Sequence, residues 1–179
     1  MIIYIMRHGT TCWNEKNIIQ GTSNNRLSLN GKTLVEETAK KYKNTKFDVV
    51  FSSPLMRTMQ TANIMNKYHN VKIIKDVRLI EVAQGIFTGR KKSSLTEKEM
   101  ELRNKRSASC GMEKFESVYD RSKEFLKCVK NLKYNNILII THNVNASLIE
   151  CIIKNEKVDF EDRNQTINFH NAEVRCYEI

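Results

Sequence analysis

The sequence predicts an α/β fold with three layers, in which helices cover both faces of a mostly parallel central sheet. Short, continuous apolar segments alternate along the chain with longer segments of helical periodicity, which is typical of a doubly wound sheet. Two apolar segments, at residues 2–6 and 137–140, lead directly into a polar residue followed by a histidine. Strands that are apolar at every position are buried on both faces, as in parallel sheets. The length of 179 residues suits one domain, which we assign to residues 1–179.

Composition argues against several classes of protein. The chain is 40% hydrophobic and 28% charged, which is typical of a soluble globular protein, and no apolar run approaches the length of a membrane span. Arg7 interrupts the first apolar run, so the sequence lacks the pattern of a signal peptide. The five cysteines are scattered without a C-x-x-C pair, which argues against disulfides and against a zinc site. We therefore expect a cytoplasmic protein with reduced thiols.

The formal net charge of +10 has three interpretations: binding of nucleic acid, of an acidic membrane surface or of small anionic molecules. The basic residues are spread along the chain without a nucleic-acid-binding motif, and only 8% of the residues are aromatic. We expect neither a nucleic acid nor a membrane as a partner, which leaves a small anionic molecule. Nothing in the sequence indicates an oligomeric state.

The first apolar segment ends in a group of polar residues. The segment stops at Arg7 because a strand buried on both faces cannot continue through a charged side chain. Ligands of open α/β sheets bind in the crevice beyond the carboxyl ends of the strands, where His8 would stand. Gly9 allows the backbone to turn, and Thr11 and Asn14 bring hydrogen-bonding side chains back to the same place. We expect the active site here.

A second strand is predicted at residues 47–52, and it runs into a helix that carries Arg57 near its N-terminus. Pro54 suits the first turn of that helix, and Ser52 or Ser53 is the expected cap. A cation at a helix N-terminus opposes the helix dipole, and a bound anion would offset that cost. Arg57 is therefore a candidate phosphate ligand.

Four segments, in their order along the chain, resemble the motifs of the histidine phosphatase superfamily, whose fold is that of the phosphoglycerate mutases. They are RHGTTCWN at residues 7–14, SSPLMRTMQTA at 52–62, LIEVAQGIFTG at 79–89 and THN at 141–143. The resemblance is to the branch of small phosphatases. It implies a histidine nucleophile, a glutamate as general acid, and two arginines and a second histidine that hold the phosphoryl group. The corresponding residues are His8, Glu81, Arg7, Arg57 and His142.

The same resemblance implies five substrate-binding residues, namely Thr11, Asn14, Gln20, Gly21 and Asn143. Gln20 and Gly21 match a glutamine-glycine pair that lines the substrate pocket in the family, and they lie in a segment that we interpret as a long loop. Asn143 stands where the family has glycine, and asparagine is tolerated in the left-handed backbone region. Ser147 stands where the family often has an arginine, which removes one anion contact.

Three further features complete the sequence prediction. Asn30 is the expected N-cap of a helix that follows the loop, and residues 173–179 alternate as an edge strand does. Residues at about 90–115 correspond to the variable lid of the family. Their cations indicate either a solvated charged helix or a lid that meets extra charge on the substrate. His69 and His170 match no motif and are interpreted as structural, with no metal site.

These residues predict a phosphomonoester hydrolase that needs neither a metal ion nor another cofactor and acts through a phosphohistidine on a small phosphorylated metabolite. A mutase, which returns the phosphoryl group to the product, is the first alternative, and the short segment between the glutamate and the second histidine argues against it. A non-catalytic phosphate-binding or regulatory module is the second alternative. The retained His8 and Glu81 argue against it, whereas it would explain the departures from the family at five positions: Thr10, Asn24, Arg26, Asn143 and Ser147.

Overall fold

The computed structural model of the protein describes residues 1–160 and 169–179. The strands are β1 (Ile2–Arg7), β2 (Val49–Ser52), β3 (Lys72–Lys75), β4 (Asn136–Thr141) and β5 (Val174–Glu178). The α-helices are α1 (Cys12–Glu15), α2 (Leu29–Lys41), α3 (Met56–Met65), α4 (Glu97–Asn104), α5 (Phe115–Lys130) and α6 (Asn143–Lys154). Short 3-10 helices lie at Asn66–Tyr68, Val77–Leu79, Gly85–Phe87, Lys92–Ser94 and Ala108–Cys110. Within these ranges, no helix has the length and apolar character needed to cross a membrane.

The five strands of the described residues form one sheet in the order β3-β2-β4-β1-β5. The first four are parallel to their neighbours, and β5 pairs antiparallel with β1. The prediction of an α/β fold with a mostly parallel sheet is therefore confirmed. The edge strand predicted at residues 173–179 is also present, as β5.

The two central strands bring the two strand-histidine segments together. β1 and β4 lie side by side, with Arg7 opposite Thr141. The N–H of His8 donates to the carbonyl oxygen of Thr141 at 3.0 Å, which continues the pairing by one residue. Because parallel strands end at the same edge of a sheet, His8 and His142 emerge next to each other.

Apolar clusters on the two faces of the sheet hold the helices in place. Phe125 of α5 and Ile149 of α6 pack on one face, and Val35 of α2 and Ala62 of α3 pack on the other. All four side chains are fully buried. Burial of a large apolar side chain contributes about 1.5–3 kcal/mol. The helices on both faces are thus fixed by the core, and so is the edge of the sheet where the strands end.

Helix α2 begins with a different cap from the one that the sequence predicts. The Ser28 hydroxyl accepts from the N–H of Gly31 at 3.0 Å, whereas Asn30 already lies inside the helix, so the prediction of Asn30 was wrong. A Cβ atom at Gly31 would lie 1.9 Å from the carbonyl oxygen of Thr10. Glycine therefore lets the start of α2 pack closely against the loop that follows β1.

The predicted serine cap of α3 was also wrong. The N-cap is Leu55, which makes no capping bond through its side chain, and Pro54 precedes the helix. The Ser53 hydroxyl accepts from the N–H of Leu55 at 3.4 Å, before the helix begins, and both serines make further bonds. Ser52 donates to the carbonyl oxygen of Ser53 at 2.9 Å, and the Ser53 hydroxyl lies 2.9 Å from Nε2 of His142.

Residues 90–115 contain α4 and two of the 3-10 helices. Five of their cations are exposed, as expected for a solvated helix: Lys91, Lys92, Lys98, Lys105 and Lys114. Arg103 and Arg106 differ from that expectation, because they are only 8% and 6% exposed. The guanidinium group of Arg106 lies 4.6 Å from the ring centre of Phe115, which favours its burial.

Candidate active site

A cavity opens where β1, β2 and β4 end. Four of the predicted catalytic residues lie on its wall: Arg7, His8, Arg57 and Glu81. Four of the predicted substrate-binding residues lie there as well: Asn14, Gln20, Gly21 and Asn143. His142 and Thr11 are the exceptions, and both are fully buried behind the wall.

His8 follows β1 and is 3% exposed. Its Nδ1 lies 2.6 Å from the carbonyl oxygen of Gly9, so Nδ1 carries the hydrogen and donates it. The other nitrogen, Nε2, has a lone pair and accepts from Nε of Arg57 at 3.2 Å. The bond to Gly9 therefore selects the tautomer in which Nε2 can act as a nucleophile.

Arg57, the second residue of α3, lies between the two histidines and is 1% exposed. Its Nε lies 3.2 Å from Nε2 of His8 and 3.2 Å from Nδ1 of His142. Nη1 and Nη2 donate to the carbonyl oxygens of Ser23 and Gly21 at 2.6 and 2.8 Å. The loop before α2 thus fixes the plane of the guanidinium group.

His142 lies directly before α6, behind Arg57. Because Nδ1 accepts from Arg57, Nε2 carries the hydrogen and donates it to the Ser53 hydroxyl at 2.9 Å. Sequence reasoning did not identify Ser53 as a partner of the site. The serine was visible next to Pro54, but the pairing of β2 with β4, which brings it to His142, is not encoded locally.

Both histidines are neutral in the folded protein. Burial lowers the pKa of His8 well below its usual range, and the charges of Arg57 and Arg7 lower it further, while the bond to Gly9 acts in the opposite direction. Burial, followed by the charge of Arg57, likewise lowers the pKa of His142. His142 is therefore not a protonated donor in this state, and its Nδ1 donates to an anion only after it gains a proton.

Arg7 brings a second guanidinium group to the cavity. Its Nη1 donates to the carbonyl oxygen of Phe169 at 2.5 Å. Burial lowers the pKa of Arg7 and that of Arg57, the latter to about 10, and the negative charge of Glu81 acts in the opposite direction. Both guanidinium groups are therefore protonated at neutral pH, and two positive charges face one cavity.

Glu81 lies in an irregular segment and is partly buried. Its Oε1 accepts from the N–H of Val82 at 3.0 Å. Among the described residues that line the cavity, Glu81 is the one with a carboxylate. No group of three or more His, Cys, Asp or Glu side chains in residues 1–160 and 169–179 is arranged to hold a metal ion. Glu81 is thus the carboxyl group that could exchange a proton with a molecule in this cavity.

Thr11 is bonded to two residues of the cavity wall, Asn14 and Gln20. Its Oγ1 accepts from the N–H of Asn14 at 3.1 Å, and Asn14 Oδ1 accepts from the N–H of Thr11 at 3.0 Å, which forms a capping box for α1. Thr11 Oγ1 also donates to Oε1 of Gln20 at 3.0 Å. Thr11 therefore holds two residues of the wall and lies behind that wall.

Two other substrate-binding candidates depend on backbone conformation. Gly21 has a φ of +50°, and a Cβ atom there would lie 3.1 Å from the main-chain nitrogen of Gln84, which explains the glycine. Asn143 is the first residue of α6 and has no positive φ, so the tolerance of asparagine for the left-handed region is not needed here. The helix begins directly after His142, and Asn143 Oδ1 accepts from the N–H of Phe169 at 3.0 Å.

Sequence reasoning missed three polar residues of the wall: Gln84, Lys92 and Arg103. Nε of Arg103 donates to Oε1 of Gln84 at 3.2 Å. The cations between residues 90 and 106 were visible in the sequence. A short, weakly amphipathic helix does not reveal which of them face the cavity, however, and Gln84 was hidden inside a motif noted for its glutamate and glycines.

The fold and the cavity together define an enzyme of the phosphatase class. A doubly wound sheet presents a neutral histidine, two guanidinium groups and a carboxyl group around one cavity at the carboxyl ends of its strands. Guanidinium groups bind the oxygens of phosphate in paired, charge-assisted hydrogen bonds.

Comparison with known proteins places this enzyme in a family. The model of the histidine phosphatase superfamily (branch 1) matches residues 3–179, and the chain belongs to this superfamily. Phosphoserine phosphatase 1 of Hydrogenobacter thermophilus is 29% identical over 158 residues, which cover 84% of this chain and 75% of that protein. The probable phosphoglycerate mutase GpmB of Escherichia coli is 37% identical over 97 residues, which cover 54% of this chain and 45% of that protein.

Solved structures show the same fold at low sequence identity. The α-ribazole phosphatase of Shigella flexneri superimposes with a TM-score of 0.87 at 20% identity, over 100% of this chain and 91% of that one. A mycobacterial glucosyl-3-phosphoglycerate phosphatase superimposes with a TM-score of 0.85 at 19% identity, over 98% of this chain and 91% of that one. These similarities support the fold of the phosphoglycerate mutases for this chain.

Proposed function

We propose that the protein hydrolyses phosphate monoesters of small metabolites through a phosphohistidine on His8. One observation carries this proposal. Nε2 of neutral His8 lies 3.2 Å from the guanidinium group of Arg57, while Nδ1 is bonded to the carbonyl of Gly9. A lone pair beside a fixed cation is suited to attack a phosphorus atom whose oxygens that cation holds.

In the first step, Nε2 of His8 forms a bond to phosphorus as the bond between phosphorus and the leaving oxygen breaks. Arg7 and Arg57 hold the phosphoryl oxygens and stabilise the charge that spreads over them. Glu81 begins this step protonated and gives its proton to the leaving oxygen, so that an alcohol departs. The positive charge of the phosphorylated imidazole is stabilised by the hydrogen bond from Nδ1 to Gly9.

In the second step, the Glu81 carboxylate takes a proton from a water molecule. The oxygen of that water forms a bond to phosphorus as the bond between phosphorus and Nε2 of His8 breaks. Inorganic phosphate leaves, His8 is again neutral and Glu81 is again protonated. Both catalytic groups of the enzyme are thereby returned to their starting states, and the net reaction converts ester and water into alcohol and phosphate.

The remaining wall residues are proposed to bind the substrate. Asn14, Gln20, Gly21 and Asn143 offer neutral hydrogen-bonding groups, and Thr11 holds the first two of them in place. The two arginines supply the positive charge that phosphoryl transfer requires, and we therefore propose a reaction without a metal ion or another cofactor.

We assign the whole chain, residues 1–179, to one catalytic domain with a variable lid at about 90–115. We also infer a cytoplasmic location. All five cysteines are free, which suits a reducing compartment. We infer that the partner is a small phosphorylated molecule. The similarity to phosphoserine phosphatase 1 supports this inference.

Labelling of the enzyme with phosphate tests the nucleophile. The wild type should form an acid-labile phosphoenzyme and turn over p-nitrophenyl phosphate in the presence of EDTA, whereas His8→Ala should do neither. His170→Ala is the matched control, because His170 is exposed and does not lie on the cavity wall. Equal labelling of His8→Ala and the wild type would overturn the assignment, and loss of turnover in EDTA would overturn the metal-free reaction.

A mutase is the second candidate function, favoured by the 37% identity to the probable phosphoglycerate mutase GpmB. A panel of phosphorylated metabolites that includes phosphoserine and phosphoglycerates separates the two reactions by their products. Release of inorganic phosphate supports hydrolysis. Isomerisation of a phosphoglycerate without release of phosphate would show that the protein is a mutase. Absence of any turnover would favour a phosphate-binding module.

Glu81→Gln tests the general acid, because it keeps the shape of the side chain but cannot transfer a proton. An alkoxide leaving group needs a proton, whereas p-nitrophenolate departs readily without one. The variant should therefore slow phosphoenzyme formation far more with glycerol phosphate than with p-nitrophenyl phosphate in single-turnover measurements. The same loss with both substrates would show that Glu81 is not the acid.

A further inference from the structure

One ion pair, Arg121–Glu113, holds the main chain on both sides of Glu81. Nη1 of Arg121, on α5, donates to the carbonyl oxygen of Arg78 at 2.5 Å, three residues before Glu81. Nε of the same guanidinium group lies 3.2 Å from Oε1 of Glu113. Oε2 of Glu113 accepts from the N–H of Ala83 at 3.0 Å, two residues after Glu81.

Further hydrogen bonds hold the main chain at Arg78 and at Ala83. Nδ2 of Asn145, a fully buried residue of α6, donates to the carbonyl oxygen of Arg78 at 3.2 Å. Nη2 of Arg106 donates to the carbonyl oxygen of Ala83 at 2.6 Å. These anchors come from other parts of the chain and bond to the main chain at the two ends of residues 78–83. None of them bonds to the carboxylate that lies between.

The strand that precedes His142 takes part in the same arrangement. Oγ1 of Thr141 lies 2.7 Å from the carbonyl oxygen of Leu79 and 2.8 Å from Oδ1 of Asn145, and its one hydrogen can be donated to either oxygen. The segment that carries Glu81 is therefore tied to the end of β4, where the phosphate ligands lie. The distance from the carboxyl group to the phosphate site is thus set by bonds outside the cavity.

We propose that the Arg121–Glu113 pair positions Glu81 as general acid and base without touching the substrate. This inference rests on the proposed function, in which Glu81 transfers the proton. A general acid must come within hydrogen-bond distance of the leaving oxygen, and a displacement of about 1 Å can cost about 10² in rate. Neither Arg121 nor Glu113 lies on the wall of the cavity.

Only an arginine at position 121 has the geometry to bond to both Glu113 and the carbonyl oxygen of Arg78. The side chains of Arg121 and Glu113 are 18% and 23% exposed, so the pair is partly buried and still in contact with water. The planar guanidinium group of Arg121 reaches a main-chain carbonyl through Nη1 and the carboxylate through Nε and Nη2. A lysine ammonium carries the same charge but cannot bond in both directions from fixed positions.

Arg121→Gln and Glu113→Gln test the proposal by single-turnover formation of the phosphoenzyme. Each should slow the reaction of glycerol phosphate roughly tenfold to a hundredfold, because the acid is displaced. Each should change the rate with p-nitrophenyl phosphate less than about threefold, because that leaving group needs no proton. Inhibition by inorganic phosphate should stay at the wild-type level, because Arg7 and Arg57 keep their places.

Two further variants serve as controls. Glu150→Gln breaks a comparable pair, since Glu150 is 9% exposed and lies 2.7 Å from Arg175, away from the cavity. It should leave the ratio of the two rates unchanged. Arg121→Lys keeps the charge without the planar group and should restore the rate with glycerol phosphate only in part.

The outcomes separate this inference from the proposed function. Equal losses with both substrates in the Arg121 and Glu113 variants, or full activity in both, would overturn the positioning of Glu81 by this pair. If Arg121→Gln fails to fold in thermal melting, Glu113→Gln alone decides. If Glu81→Gln itself loses the same factor with both substrates, the assignment of the general acid fails. If only the Arg121 and Glu113 variants lose the same factor with both substrates, Glu81 remains the general acid but the Arg121–Glu113 pair does not position it.

Discussion

Arg57 uses every arm of its guanidinium group inside the protein. Nε faces two histidine nitrogens, and the other two nitrogens donate to main-chain carbonyls. We expect the carbonyl bonds to remain when a phosphate enters, and the bonds to the histidines to be exchanged for bonds to phosphoryl oxygens. The cation is therefore oriented before the substrate arrives, which is the condition for strong electrostatic stabilisation of a transition state.

Arg57→Ala should lower kcat/KM for p-nitrophenyl phosphate by roughly a hundredfold or more, in line with the loss of one preorganised donor. Lys91→Ala is the matched control, because Lys91 is exposed and does not lie on the cavity wall. Its kcat/KM should stay close to that of the wild type. A small effect of Arg57→Ala beside a large effect of Lys91→Ala would place the phosphate under residues 90–115 instead.

At the scale of elements, the sequence predicted the strands better than it predicted the beginnings of the helices. The runs before Arg7 and His142 are apolar at every position, and such local patterns identify buried strands. Helix caps depend on which of several nearby serines and asparagines has another partner. Ser53 bonds to His142 through a tertiary contact, and no local pattern reveals that.

The same limit explains why the residues around Glu81 could not be assigned from the sequence. Arg121 lies on α5, which the sequence shows only as an amphipathic helix, and Glu113 lies before that helix. Their importance comes from contacts with Arg78 and Ala83, which are distant along the chain. The motifs thus indicated residues of the cavity wall, whereas the residues that bond to the main chain around Glu81 became visible only in three dimensions.

Removal of the cap of α2 should lower stability. Ser28→Ala should lower the free energy of unfolding by about 1 kcal/mol, because the N–H of Gly31 loses its acceptor. Asn30→Ala should leave that free energy close to the wild-type value, since Asn30 is exposed and does not cap the helix. Urea denaturation of the two variants measures both values. A larger loss for Asn30→Ala would mean that the helix begins where the sequence, and not the structure, places it.

At the scale of the whole molecule, the buried histidines make stability depend on pH. The pKa values of His8 and His142 are lowered well below the usual range, mainly by burial, and burial also lowers that of His69. The unfolded chain therefore takes up protons at a higher pH than the folded protein does. Between the two sets of pKa values, the free energy of unfolding must fall as the pH falls.

The expected decline begins near pH 6.5, the ordinary pKa of histidine, and amounts to at most about 1.4 kcal/mol per pH unit for each histidine. Urea denaturation at pH 7 and at pH 5 measures it. His8→Asn should make the dependence shallower, and His170→Asn, at an exposed position, should not. Equal stability of the wild type at both pH values would contradict the neutral state of the two buried rings.

The two edges of the sheet bear on the behaviour of the protein at high concentration. β3 has four residues and begins and ends with an exposed lysine, and β5 has five residues and carries Arg175 and the exposed Glu178. Short edge strands with charged side chains resist pairing with a strand of another molecule. The net charge of +10 adds repulsion between copies of the chain. A sheet whose central strands are almost entirely apolar is thereby protected against aggregation through its edges.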